Sequence, residues 1–160
     1  IHIATHGDYK ELKQREADDA MKHCFLIMSG ANATEENNDG LLRADEISVL
    51  NLRGCRMVVL SACNTGQGTL GADGLFGLQR GFKNAGVQTI LMTLSAVDDQ
   101  ASMLLMTKFY ENIISGLSER QALIKAQQYL RENGYADSKY WAPFILLDAG
   151  RSPIPHPSRS

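Results

Sequence analysis

Two short, mainly apolar runs, Arg56 to Ser61 (RMVVLS) and Val87 to Leu94 (VQTILMTL), constrain the fold of this chain more than any other feature. A strand with one face in water alternates apolar and polar side chains, whereas these runs present no continuous polar face and call for cover on both sides. Between them a glycine-rich segment, Asn64 to Gly74, leads into an amphipathic helix that ends at a Gly86 C-cap. Strands alternating with helices in this way imply an α/β fold with a mostly parallel sheet covered on both faces.

The rest of the chain extends that pattern. Ile1 to Thr5 and Cys24 to Met28 (CFLIM) are further candidate strands with a solvated connection between them. Ser29 to Gly40, with its run EENND, predicts an exposed loop before a short helix around Asp45 to Leu50. Asp98 or Asp99 can N-cap a helix reaching about Ser115, with Gly116 beyond it. Ser118 and Gln121 form a capping box that opens another helix, Gly134 closes it, and Trp141 to Leu147 supplies the last strand. Residues 1–150 are expected to form one domain, and residues 151–160, rich in proline, a disordered tail. Because Ile1 falls inside a predicted strand, the chain is expected to be a piece of a longer polypeptide.

With 160 residues, 44% of them apolar, the chain can bury one substantial core. A formal charge of -2 provides no basic stripe for a phosphate backbone, so nucleic acid is not an expected partner and a protein or peptide is. No apolar run approaches the roughly 18 residues that span a bilayer, so no membrane partner is expected either. Three cysteines, Cys24, Cys55 and Cys63, lack any Cys-x-x-Cys spacing, which favours a reducing cytoplasm.

The chemistry concentrates at two predicted strand ends: His6-Gly7 closes IHIATHG, and Ala62-Cys63 closes RMVVLSAC. Open α/β sheets place their sites at the carboxyl ends of strands. Cys24 and Cys55 read as small buried hydrophobes, but Cys63 opens the loop Asn64-Thr65-Gly66-Gln67-Gly68, where oriented backbone dipoles favour a thiolate. Cys63 is thus the candidate nucleophile and His6, 57 residues upstream, its acid–base partner. The N–H groups of Gly7 and Cys63 could hold the oxyanion of an acyl transfer. Asp73, Asp98 and Asp99 lie in segments leaving this strand and its neighbour; their ordinary role is capping, and in a pocket they would select a basic side chain.

Three other patterns carry less. His2 and His6 imitate a metal pair, but the spacing belongs on a helix, the segment reads as a strand, and neither metal nor cofactor is expected. Gly66, Gly68 and Gly71 match a dinucleotide fingerprint, yet four residues intervene after the strand and no carboxylate ends the next one. Glu35 to Glu46 places Asn37, Asp39, Gly40, Leu42 and Glu46 in EF-hand register, but no entering helix precedes it.

These same residues resemble the CHAT domain, a caspase-like cysteine peptidase domain related to separases and often found with tetratricopeptide repeats. HIATHG, NDGLLRADEI, LRGCRMVVLSACNTGQG, GLFGLQRGFKNAGVQTILMTLSAVDD, MTKFYENIISGLSERQALIKAQQYL and YWAPFILLD all look like CHAT segments in CHAT order. The resemblance implies a three-layer α/β/α sandwich of the caspase kind, His6 and Cys63 as catalytic pair, and endopeptidase activity. It also implies upstream strands and a repeat or other regulatory region in the parent chain. The Val97-Asp98-Asp99 segment is similar to the acidic stretch of separases, which cut after arginine. Where many CHAT sequences have Leu-Trp, this chain has Leu94-Ser95, a departure in the pocket wall. The alternative function is a catalytically silent CHAT interaction or signalling module; a nucleotide-binding α/β domain is the third.

Overall fold

The computed structural model describes residues 1–5, 7–9, 20–31, 39–61 and 72–148. Its main sheet has the order β1 (His2–Ala4), β5 (Met57–Ser61), β6 (Thr89–Thr93), β7 (Phe144–Asp148). The first three run parallel and β7 is antiparallel to β6. A second sheet joins β2 (Gly7–Tyr9), β3 (Cys24–Ile27) and β4 (Leu41–Arg43), all antiparallel.

Side-chain alternation along the central strands builds two separate cores, which is what a sheet covered on both faces requires. Val58, Leu60, Ile90 and Met92 face one way, onto Leu78 and Phe82 of α3 (Ala72–Asn84), Ala44 and Ile47 of α2 (Ala44–Ser48), and Cys24 and Leu26 of β3. Val59, Leu91 and Phe144 face the other way, onto Leu105 and Phe109 of α4 (Asp99–Ile114) and Ala122, Ala126 and Leu130 of α5 (Glu119–Glu132). Helix, sheet, helix is therefore the layering, a mixed α/β sandwich of the caspase-like kind. No helix among the described residues is long and apolar enough to cross a membrane.

Several predicted boundaries hold because they are locally encoded. Asp98, of the two candidate caps, takes the N-cap of α4, its carboxylate accepting from the Ala101 N–H at 2.9 Å. Ser118 and Gln121 form the expected reciprocal box at the start of α5.

The differences arise where pairing or packing overrides the local pattern. The connection after Thr5 holds a strand, β2, and ends in α1 (Ala20–His23), and β4 precedes the short helix, which begins at Ala44 rather than Asp45. β2 and β4 are only three residues each and exist through pairing with β3, whose Cys24 and Leu26 are fully buried. Gly40 makes the approach to β4 possible: its φ of +64° and its carbonyl, 2.7 Å from the Met28 N–H, bring the backbone against Ala31. A Cβ at Gly40 would sit 2.0 Å from the Ala31 nitrogen, so no other residue fits there without rearrangement. The last strand starts at Phe144, three residues after the expected Trp141, because Asp137 caps a 3-10 turn over Ser138–Tyr140. The predicted tail, residues 151–160, and most of the acidic loop Thr34 to Asp39 lie outside the described residues.

Candidate active site

The strand that leads to His6 and the strand that leads to Cys63 are neighbours. β1 pairs in parallel with β5, His2 opposite Val59, Ile3 opposite Leu60 and Ala4 opposite Ser61. His6 and Cys63 themselves lie outside the described residues, as do Ala62 and the loop with Gly66, Gly68 and Gly71. Each follows, by two residues of chain, a member of the last register pair.

The chain changes sheets at this point. Ala4 ends β1 in the main sheet, and Gly7 opens β2 opposite Leu26 of the second sheet. Between them, half-buried Thr5 donates its hydroxyl hydrogen bond to the Ile27 carbonyl at the end of β3. No local sequence pattern singles out Thr5, because its partner is 22 residues away.

The acidic candidates lie in the segments that follow β5 and β6 in the chain. Asp73 is in the first turn of α3, the helix that follows β5. β6 runs parallel to β5 and ends at Thr93, so Leu94 to Asp98 leaves the sheet from the carboxyl edge at which β5 ends. Asp98 and Asp99 are both exposed, Asp98 engaged as a helix cap and Asp99 in the first helical turn. Half-buried Val97 anchors this segment on the α4–α5 core, while Leu94 stays 54% exposed.

The competing patterns have other partners. Nδ1 of His2 lies 3.0 Å from the Tyr110 hydroxyl of α4, and partial burial followed by the Ile1 ammonium holds its imidazole below the ordinary range. Asp39 and Glu46, two of the EF-hand positions, both engage Arg43: the guanidinium reaches Asp39 at 2.5 Å and the backbone N–H donates to Glu46 at 2.7 Å. The Arg43 hydrogen bond, with a second from the Leu41 N–H, holds the Asp39 carboxyl below its usual value. Among the described residues no group of three or more His, Cys, Asp or Glu is placed to hold a metal. Cys24 is fully buried core, as expected of a small buried hydrophobe, whereas Cys55 is only half-buried and its thiol donates to the Met57 carbonyl.

A mostly parallel sheet under two helical layers, with His6 and Cys63 each two residues of chain past neighbouring strand ends, is the arrangement of the cysteine-peptidase-related, caspase-like class. The sequence profile of the CHAT domain matches residues 1–149, and the chain belongs to the CHAT domain family. It is 32% identical, over 92% of its length, to Tetratricopeptide repeat protein 28 of Mus musculus, and 25% identical over the same share to the Homo sapiens protein of that name. The chain spans about 7% of the length of each of these relatives. The domain is therefore similar to a part of tetratricopeptide repeat proteins.

Proposed function

We propose that this CHAT domain is a cysteine endopeptidase in which Cys63 is the nucleophile and His6 its proton-transfer partner. The observation that carries the reading is the parallel pairing of β1 with β5, with Ala4 opposite Ser61 and each candidate two residues further along its chain. The Cys63 sulfur forms a bond to the scissile carbonyl carbon, and the N–H groups of Gly7 and Cys63 hold the resulting oxyanion. His6 delivers a proton to the departing amine as the C–N bond breaks. It then takes a proton from water, whose oxygen displaces the sulfur and releases the carboxylic product.

The substrate is a protein or peptide bound in extended form at the carboxyl edge of the main sheet, and a basic P1 residue suits the carboxylates of Asp98, Asp99 and Asp73. In support, Asp98 and Asp99 both lie on the segment leaving β6 at that edge. A repeat region elsewhere in the parent chain regulates or presents substrate, in keeping with the relatives named above.

Intact mass after exposure to activated-ketone peptides ending in Arg, Lys or Asp tests the reading. The expected result is a single adduct, strongest with the Arg probe and absent from Cys63→Ala. No adduct on the folded protein within its full-length parent, under conditions where a generic thiol reagent reaches Cys63, would favour the silent interaction module instead.

A further inference from the structure

We infer that the groove between α5 and the turn before β7 is a docking site for an acidic peptide, in which Arg131 takes a carboxylate while Trp141 and Ile124 take the apolar side chain beside it. The inference goes beyond the proposed peptidase chemistry and uses none of its residues. Ile124, Gln128 and Arg131 fall at i, i+4 and i+7 of α5, on the side away from Ala122, Ala126 and Leu130, which face the core. With Trp141 they line an open cavity of about 490 Å³, within the size range of ligand sites.

The aromatic wall is fixed in advance of any ligand. The Trp141 backbone N–H donates to the Ser138 carbonyl at 3.2 Å, its indole N–H donates to the Ala136 carbonyl at 3.3 Å, and its own carbonyl accepts from the Gln127 amide of α5 at 3.0 Å. Exposed Arg131 lies over that indole, its guanidinium carbon 5.0 Å from the ring centroid. A stacked guanidinium keeps its N–H fork available to grip a carboxylate through two parallel hydrogen bonds. Among the described residues no carboxylate fills that role: Lys108, Arg120 and Lys139 are paired with Glu111, Asp148 and Asp137, whereas Arg131 has no ion pair. Ile124, beside the indole in the groove, is 57% exposed, an apolar surface that a free small carboxylate would leave in water and a peptide side chain would cover. Exposed Lys125, also without an ion pair among the described residues, lines a second groove of about 280 Å³ that shares Gln128 and Glu132 with the first. A peptide crossing from one groove to the other brings a second acidic residue to Lys125. Glu132, which accepts from the Gln128 amide at 2.8 Å, lines both grooves, so a singly charged carboxylate is favoured over a phosphate dianion.

Trp141 is the single tryptophan of the chain, so its fluorescence reports on the groove directly. The test titrates the folded protein, carrying Cys63→Ala so that the probes stay intact, with pooled fluorescein-labelled octapeptides that place Asp or Glu beside Leu, Ile or Phe. Matched pools carry Asn or Gln, or phosphoserine, at the acidic position. The acidic pool should raise fluorescein anisotropy and change Trp141 emission at the same midpoint, and the amide pool should bind about tenfold less tightly or worse. Arg131→Gln should weaken the acidic pool by about tenfold, and Arg131→Lys by less, because lysine keeps the charge but not the fork. Lys125→Gln and Ile124→Ser, both at exposed positions, should each weaken it by about threefold. A cation that serves only the carboxyl end of α5 would lower the melting temperature of Arg131→Gln and leave the midpoint unmoved, which would overturn the inference. Equal binding of the amide pool would overturn it too, as would no response to the acidic pool up to about 1 mM. Tighter binding of the phosphoserine pool would put a phosphate in the groove and overturn the carboxylate assignment.

Discussion

Replacing Gly81 by alanine sets a local rule against a tertiary contact. Gly81 lies inside α3, where alanine is better than glycine by about 1 kcal/mol on propensity alone. Yet a Cβ there would stand 2.5 Å from the Ala44 carbonyl oxygen and 3.2 Å from both its carbonyl carbon and Cα. All three atoms are backbone, at the first residue of α2, so no side chain can swing away. Restoring an ordinary contact of 3.4 Å requires α2 and α3 to part by about 0.9 Å. A gap of that size forfeits a quarter to a half of the dispersion well for the contacts it opens, and overpacking of this kind costs about 1 to 3 kcal/mol. Ala44, Ile47, Leu78 and Phe82, all in this core, would share that loss. Subtracting the propensity gain leaves Gly81→Ala less stable by up to about 2 kcal/mol. Urea unfolding monitored by circular dichroism would then show a midpoint lower by up to about 1 M. Gly54, with nothing within 4 Å of a Cβ, is the control: Gly54→Ala should stay within about 0.5 kcal/mol. A midpoint for Gly81→Ala at or above wild type would refute the close-approach reasoning.

Phe109→Ala, at a fully buried position between the sheet and α5, should cost about 3 to 5 kcal/mol in the same unfolding assay. Asp98→Ala should cost about 1 kcal/mol through loss of the α4 cap, while Asp98→Asn keeps an accepting oxygen and should stay within about 0.5 kcal/mol. If Asp98 also selects a basic residue, Asp98→Asn alone should weaken adduct formation with the Arg ketone and spare the Asp ketone, a difference that intact mass reads directly. Partial burial pushes the Glu119 carboxyl up, but the hydrogen bond and charge of Arg56 outweigh it, so its folded value lies below the ordinary 4.5. A depressed carboxyl contributes stability that is complete above 4.5 and fades as pH falls through the lower folded value. Glu119→Gln should therefore flatten the acid limb of melting temperature against pH below 4.5 and leave the slope near neutrality unchanged.

What could be read in the chain was local or periodic. The capping residues Asp98 and Ser118 act within one helical turn, so their partners are three residues away and visible. Buried strands advertise themselves by composition, and β5 and β6 appear within the predicted runs. Gly7, the proposed backbone donor beside His6, and the acidic residues 98 and 99 could be named because they abut predicted strand and helix ends. Hidden from that reading were β2, β4 and the 3-10 turn before β7, three short elements whose residues carry no periodic signal. Their existence depends on β3, on Gly40 against Ala31, and on Gln127, whose amide donates to the Trp141 and Phe144 carbonyls.

By itself, then, the sequence determined the kind of protein: an α/β domain with a thiol and an imidazole each just beyond a strand, because periodicity, capping and motif order are properties of short stretches. Which strands stand side by side was for the tertiary structure to decide. Only there does His2 meet Val59, does β7 turn antiparallel against β6, and does Thr5 reach Ile27. Pairing energy is shared between residues 15 to 57 positions apart, beyond the few residues over which a periodic or capping signal acts.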